Sequence, residues 1–262
     1  MTPLNEAFAL QASGPGEWKA HAHPGYEAIH GMFGGWTAAI LLKSILDDTR
    51  AQGTPAALTA HYLMPVSPRS EVNIQTRLVG GSRSLNFWEA KLSLADHEEP
   101  AALVTIVLAN RRASDGFTDQ FMPNVPDPET LPEFHPPAAF GERTLVRPVS
   151  GHPVFNQPNT RSIAWVRETS GRAVDFLQLA YLSDVYAPRI FMKSPGPRPS
   201  STITMSVYFH ASETELHDVG DDYILTEATG TRAELSTIGS QARLWSRNRG
   251  LLATTEQLCW FR

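Results

Sequence analysis

The segment AVDFLQLAYLSDVYAP, residues 173–188, decides the fold. It predicts a helix that is apolar almost all round, and such a helix is buried. One carboxylate interrupts the pattern. At about 100° per residue, Asp184 falls beside Ala173, Leu177, Ala180 and Tyr181. Leu179, Leu182 and Val185 cover the other directions, so the Asp is enclosed on either side. A buried, unpaired carboxylate costs several kcal/mol unless hydrogen bonds or a shifted pKa compensate. Asp184 is therefore either a satisfied structural residue or one kept for chemistry.

SIAWVRE (162–168) precedes this helix as a strand, and four more strands follow it. They are TITMSVYFHA (202–211), DYILTEATGTRAE (222–234), IGSQARLWSR (238–247) and LLATTEQLCWFR (251–262). Upstream, the apolar helix GMFGGWTAAILLKSILDD (31–48) leads into LTAHYLMPV (58–66), EVNIQTRLVGG (71–81), LNFWEAKLSLA (85–95) and AALVTIVLANRR (101–112). Short runs of β-branched and aromatic residues bounded by Gly or Pro read as strands. The order of a helix and then four strands thus occurs twice. Tyr62 aligns with Tyr208, Glu89 with Gln241 and Leu103 with Leu252, at spacings near 149, as in a duplicated unit.

Between the halves, DQFMPNVPDPETLPEFHPP (119–137) and Pro148, Pro153 and Pro158 break the rhythm. The expected organisation is an N-terminal unit over 1–112, a proline-rich connector over 113–160 and a C-terminal unit over 161–262. Each unit is α+β, an antiparallel sheet curled round its own helix. Joining the two sheets edge to edge into one continuous curved sheet removes two exposed edges.

A hydrophobic fraction of 42% against 19% charge supports a substantial core. A net charge of −5 gives no electrostatic argument for nucleic acid or an anionic membrane. No run has the length of a membrane span, and MTPLNEAFALQ lacks the basic start and apolar stretch of a secretion signal. Cys259 is the sole cysteine, so no internal disulfide forms. A cytoplasmic protein is the simplest expectation. Self-association through outer faces or free sheet edges is expected to give a homo-oligomer.

Several residues are candidates for chemistry. GMFGGW (31–36) places Gly34 and Gly35 at a helix start, where free N–H groups can hold an oxyanion; tight helix packing is the alternative. Gly35 and Asp184 occupy matching positions of the two units, small in one and acidic in the other. In TITMSVYFH, Ile203, Met205, Val207 and Phe209 should point one way and Thr202 the other, unless the strand start bends or bulges. Thr255, Gln257, Cys259 and Phe261 share a face of the last strand, and Gln257 has the donors and acceptor to orient a water. Cys259 has no basic neighbour in sequence to activate it and reads as a small buried hydrophobe. His21, His23 and His30 lack the partners of a known metal spacing, so no metal is expected. A GxSxG elbow, a P-loop and a GxGxxG are all missing.

Taken together, these motifs resemble the acyl-CoA thioesterase II-like (TesB-like) family of double-hotdog proteins, over nearly the whole chain. MFGGW resembles the family's FGGQ-type helix start, and HYLMP its YFLRP-type strand. AWVR with YLSD resembles its second half, TITMSVYFH its strand ending in W-F-H, and LLATTEQLCWFR its LVASTVQEG-type last strand. The resemblance implies a double hotdog and a catalytic Asp, Thr and Gln at Asp184, Thr202 and Gln257. It further implies an acyl-CoA substrate lying near Gly34, Gly35 and Trp36 and hydrolysis by a held water, with no cofactor and no covalent intermediate. Trp36 replaces the usual Gln, Leu258 and Cys259 replace Glu-Gly, and Thr59 stands where some members carry His. These departures bear on substrate fit. Arg189, Lys193 and Arg198 are either contacts for CoA phosphates or ordinary solvated charge. Two other readings stand beside the thioesterase. A non-catalytic acyl-thioester binder needs only the fold. An enoyl-thioester hydratase needs an Asp–His pair, and Val185, Tyr186 and Ala187 after Asp184 supply no His.

Overall fold

A computed structural model of the protein describes residues 3–97 and 99–262. The chain opens with α1 (Pro3–Ala7), β1 (Gln11–Gly14) and β2 (Glu17–His21), and a short pair, β3 (Glu27–Ala28) and β4 (Gly31–Met32), leads into α2 (Gly34–Leu46). Strands β5 (Thr54–Tyr62), β6 (Glu71–Gly81), β7 (Leu85–Leu94) and β8 (Pro100–Ala109) follow. Then come β9 (Thr144–Ser150), β10 (Ser162–Glu168), α3 (Phe176–Leu182), α4 (Arg189–Met192) and β11 (Ser200–Phe209). The chain finishes with α5 (Glu213–Val219), β12 (Ile224–Glu234), β13 (Thr237–Ser246) and β14 (Leu251–Phe261). Among the described residues no helix is long and apolar enough to cross a membrane.

Twelve strands form one sheet in the order β1-β2-β6-β7-β8-β5-β11-β14-β13-β12-β10-β9. Every recorded pairing in it is antiparallel. The seam is β5 against β11, where Thr59 stands opposite Ser206 with their hydroxyls 3.0 Å apart. The long apolar helix α2 packs on β5, β6, β7 and β8, and its shorter counterpart α3 packs on α2 and β10. Nearly all of α2 is buried, because Ala38, Ala39, Ile40, Leu41, Leu42 and Ile45 surround its axis. At about 1.5–3 kcal/mol for each large apolar side chain removed from water, this helix is the main anchor of the sheet. The arrangement is the α+β double hotdog expected from the sequence.

Gly35 explains how closely the two helices approach. A Cβ there would lie 2.3 Å from the Tyr181 carbonyl oxygen and 2.6 Å from a Phe33 ring carbon. Only a glycine lets α3 backbone pass at that distance.

Three expectations change. The helix predicted over 173–188 ends at Leu182. The N–H groups of Asp184 and Val185 bond to the carbonyls three residues back, which tightens the chain into a turn. Asp184 therefore sits just past a helix end. Secondly, the proline-rich segment expected only to connect also builds structure. Its residues 144–150 pair with β10, Leu145 and Val146 are buried, and Met122 packs with Trp165, Tyr223 and Trp245. The Trp165 indole N–H donates to the Pro126 carbonyl at 3.0 Å, so the apolar stops between the prolines cover tryptophans of the sheet.

The third change is in β11. Its register against β14 shifts between Thr202, opposite Cys259, and Thr204, opposite Leu258. Ile203 is the extra residue of a β-bulge and is exposed, whereas Met205, Val207 and Phe209 are buried as expected. The shift turns Thr202 to the side of the sheet that Cys259 and Gln257 occupy. A matching shift lies between Pro55 and Ala57 of β5, opposite Leu108 and Val107 of β8.

Candidate active site

Helix α2 starts without a cap of its own. Phe33 occupies the N-cap position and offers no side-chain acceptor. The first turn of any helix leaves backbone N–H groups unpaired. Here the missing acceptor arrives from the other half of the chain, since Gly35 N–H donates to Asp184 Oδ2 at 2.9 Å. The positive end of α2 thus faces a carboxylate that has just left the end of α3.

The second oxygen is also engaged. Gln257 Nε2 on β14 donates to Asp184 Oδ1 at 2.7 Å. That bond fixes the amide, turning Gln257 Oε1 toward β11, where Thr202 Oγ1 lies 3.5 Å away. Thr202 also lies 3.6 Å from Cys259 Sγ, and the thiol is 3.7 Å from Gln257 Oε1. The structure therefore brings Asp184, Gln257 and Thr202 into one chain of contacts, from a helix end and two neighbouring strands. Each carboxylate oxygen keeps a further lone pair for a water.

Asp184 retains a little surface, but it lies under enough protein for desolvation to dominate. Its pKa is pushed up to about 7, against the opposing bonds from Gln257 and Gly35. A carboxyl with that value can take up or release a proton near neutrality. Burial pushes the Cys259 thiol up to about 11, so it stays protonated and is no nucleophile.

Of the expected substrate-side residues, the two glycines lie against Asp184 and the tryptophan lies in the core. Gly34 lies against Asp184, since a Cβ on it would stand 2.7 Å from Oδ2. The Gly35 N–H, a candidate oxyanion donor in the sequence, is occupied by Asp184. Trp36 is fully buried at 0% exposure, and its indole N–H donates to the Ala7 carbonyl at 2.9 Å. It holds α1 against α2 and lies enclosed in the core, away from open surface.

Arg189 is buried as well. Its guanidinium donates to the carbonyls of Ala187 and Thr160 and to Ser162 Oγ, and so clamps the turn after Asp184 to the sheet. It is no free phosphate contact. Lys193 bonds the Pro158 carbonyl and Arg198 the Arg262 carbonyl. His23 accepts from Gly25 N–H, a turn contact.

Sequence reasoning missed Tyr62. Its hydroxyl donates to the Gly34 carbonyl at 3.0 Å, and its ring carbons lie 3.3 and 3.4 Å from where a Gly34 Cβ would be. The signal was present in HYLMP (61–65), where a phenol ends a buried strand.

One antiparallel sheet packed on two facing helices is the architecture of a hotdog-fold protein. Family models for the acyl-CoA thioesterase N-terminal and C-terminal domains match residues 22–109 and 113–261, so the chain belongs to the acyl-CoA thioesterase family. It is similar to a conserved hot dog fold protein of unknown function from Alicyclobacillus acidocaldarius, at 28% identity and a TM-score of 0.95, over 100% of this chain and 98% of that one. A tesB protein of Mycobacterium avium subsp. paratuberculosis aligns at 19% identity and a TM-score of 0.81, covering 98% and 96% of the two chains. An acyl-CoA thioesterase II of Mycobacterium marinum aligns at 15% identity and a TM-score of 0.79, covering 99% and 98%. At such identities the last two show the fold alone. A search of curated proteins found no match.

Proposed function

We propose that the protein hydrolyses acyl-CoA thioesters to a free acid and CoA. The observation that carries the reading is Asp184, a carboxylate with a pKa of about 7, held from both sides by Gln257 and the α2 start. A water bound between Asp184, Thr202 and Gln257 attacks the thioester carbonyl while Asp184 accepts its proton. The tetrahedral oxyanion meets Gly34 N–H, a first-turn donor with no protein acceptor among the described residues. Collapse breaks the C–S bond, and the proton on Asp184 passes to the leaving CoA sulfur. Membership of the family and the intact Asp, Gln and Thr support this reading.

Thiol release from short, medium and long acyl-CoAs tests it, with Asp184→Asn alongside. Turnover that falls at least about 100-fold in the variant is expected for loss of a general base. Equal turnover in both proteins would sink the role of Asp184. Tight retention of intact acyl-CoA without thiol release would instead make the protein a binder.

A further inference from the structure

Two bonds already described meet on one peptide group. The Gly34 carbonyl accepts from the Tyr62 hydroxyl at 3.0 Å, and the N–H of the same peptide, on Gly35, donates to Asp184 Oδ2 at 2.9 Å. Tyr62 comes from β5, before the connector, and Asp184 follows α3, beyond it. The unit is a chain of two hydrogen bonds running from phenol to carboxylate through the amide.

Hydrogen bonds in such a chain polarise one another. A donor on the carbonyl oxygen draws electron density from the amide and makes its N–H a stronger donor. The carboxylate at the far end is then better stabilised. The same donor holds the Gly34–Gly35 peptide plane, and with it the direction of the first turn of α2.

We infer that Tyr62 is a positioning residue for the proposed hydrolysis, tuning the basicity of Asp184 and aiming the α2 start through the Gly34–Gly35 peptide. This rests on the assignment of Asp184 as the base. The titratable groups that face Asp184 are Tyr62 itself, Tyr181 on α3, Tyr186 in the following turn and Cys259 on β14. All four are held above their ordinary values by burial, so none is charged near neutrality. Burial raises Asp184 most, and the hydrogen bonds from Gln257 and Gly35 pull it back, so a change in the Gly35 bond is read directly at the carboxyl.

The test removes the hydroxyl and keeps the ring. In Tyr62→Phe, the carboxyl of Asp184 is titrated by 13C NMR, its resonance assigned by its loss in Asp184→Asn. Its pKa should rise by about 0.5, given the strength of a charge-assisted bond and the gain from cooperativity. Site-specific 3-fluorotyrosine at position 62, a stronger donor, should move the value down. Opposite shifts are not the behaviour of a residue that only packs, and a thermal melt confirms that each variant is folded. An unmoved Asp184 in both variants would overturn the inference. The titration needs no substrate, so it stands apart from the assignment of activity. In parallel, thioester turnover should show kcat reduced about threefold or more in Tyr62→Phe with KM unchanged. If Asp184→Asn is inactive while Tyr62→Phe matches wild type in pKa and kcat, the role of Tyr62 alone fails. If Asp184→Asn is fully active, the assignment of the base fails.

Discussion

The backbone N–H of Gly35 donates to Asp184 Oδ2 at 2.9 Å across 149 positions of sequence. The sequence offset sets these two residues against each other, but in the fold they are not equivalent, Gly35 lying in the first turn of α2 and Asp184 just past the end of α3. One half supplies a bare peptide N–H and the other a carboxylate, and the contact completes a helix that has no cap of its own. Packing and electrostatics are joined there, because the glycine that lets the helices touch also holds the carboxylate.

Activity should follow the ionisation of this base. In the proposed hydrolysis Asp184 acts when deprotonated and its pKa is about 7, so kcat/KM should rise with pH through that value and level off above it. Thiol release measured from about pH 5 to about pH 9 should show the limb in wild type, and the residual rate of Asp184→Asn should lack it.

Stability should carry the same signature with the opposite benefit. The folded pKa lies above the ordinary value of 3.8, so between the two values the folded state holds a proton that the unfolded chain has released. Stability from this group is full below the lower value and is lost as pH rises toward the upper one. Relative to wild type, the Tm of Asp184→Asn should climb from about pH 4 to about pH 7. A constant difference across that window would rule out the raised pKa.

Gly35→Ala should be among the most damaging small substitutions in the chain. The new Cβ meets backbone of Tyr181, which cannot turn away as a flexible side chain could. A loss of about 1–3 kcal/mol by denaturant unfolding is expected, together with loss of turnover as α2 moves off Asp184.

Gln257 and Thr202 should separate in their effects. Gln257→Leu strips Asp184 Oδ1 of its donor, so the acid limb should move to higher pH as turnover falls. Thr202 has no recorded bond to Asp184. Thr202→Val should cost about tenfold in kcat, the worth of one hydrogen bond to the water, and leave the limb in place. A limb shifted equally in both variants would contradict the geometry.

Trp36→Phe should lower Tm and leave the acyl-length preference unchanged. The indole bonds Ala7 inside the core and touches no open surface. A changed preference across acyl-CoA lengths would return Trp36 to the substrate pocket.

Much of this is legible in the sequence. Strand alternation and apolar helices are local patterns, and SIAWVRE coincides with β10 residue for residue. Asp184 stood out because a carboxylate in an apolar run demands partners, and Gln257 because its type suits a held water. Their partnership was legible only through likeness to a family. Tyr62 marks the repeat through its match with Tyr208, but its place at the site is not legible, because nothing nearby in sequence says where its hydroxyl points.

The sequence by itself determined the two helix-and-sheet units, the buried acid and the residue types of the site, since period, polarity and propensity act over a few residues. Tertiary structure alone decided that α3 stops at Leu182, that Ile203 bulges outward and carries Thr202 to the inner face, that Trp36 locks α1, and that Gly35 caps its helix with Asp184. Each of these depends on where a backbone group finds its partner, and those partners lie on strands and helices far away along the chain.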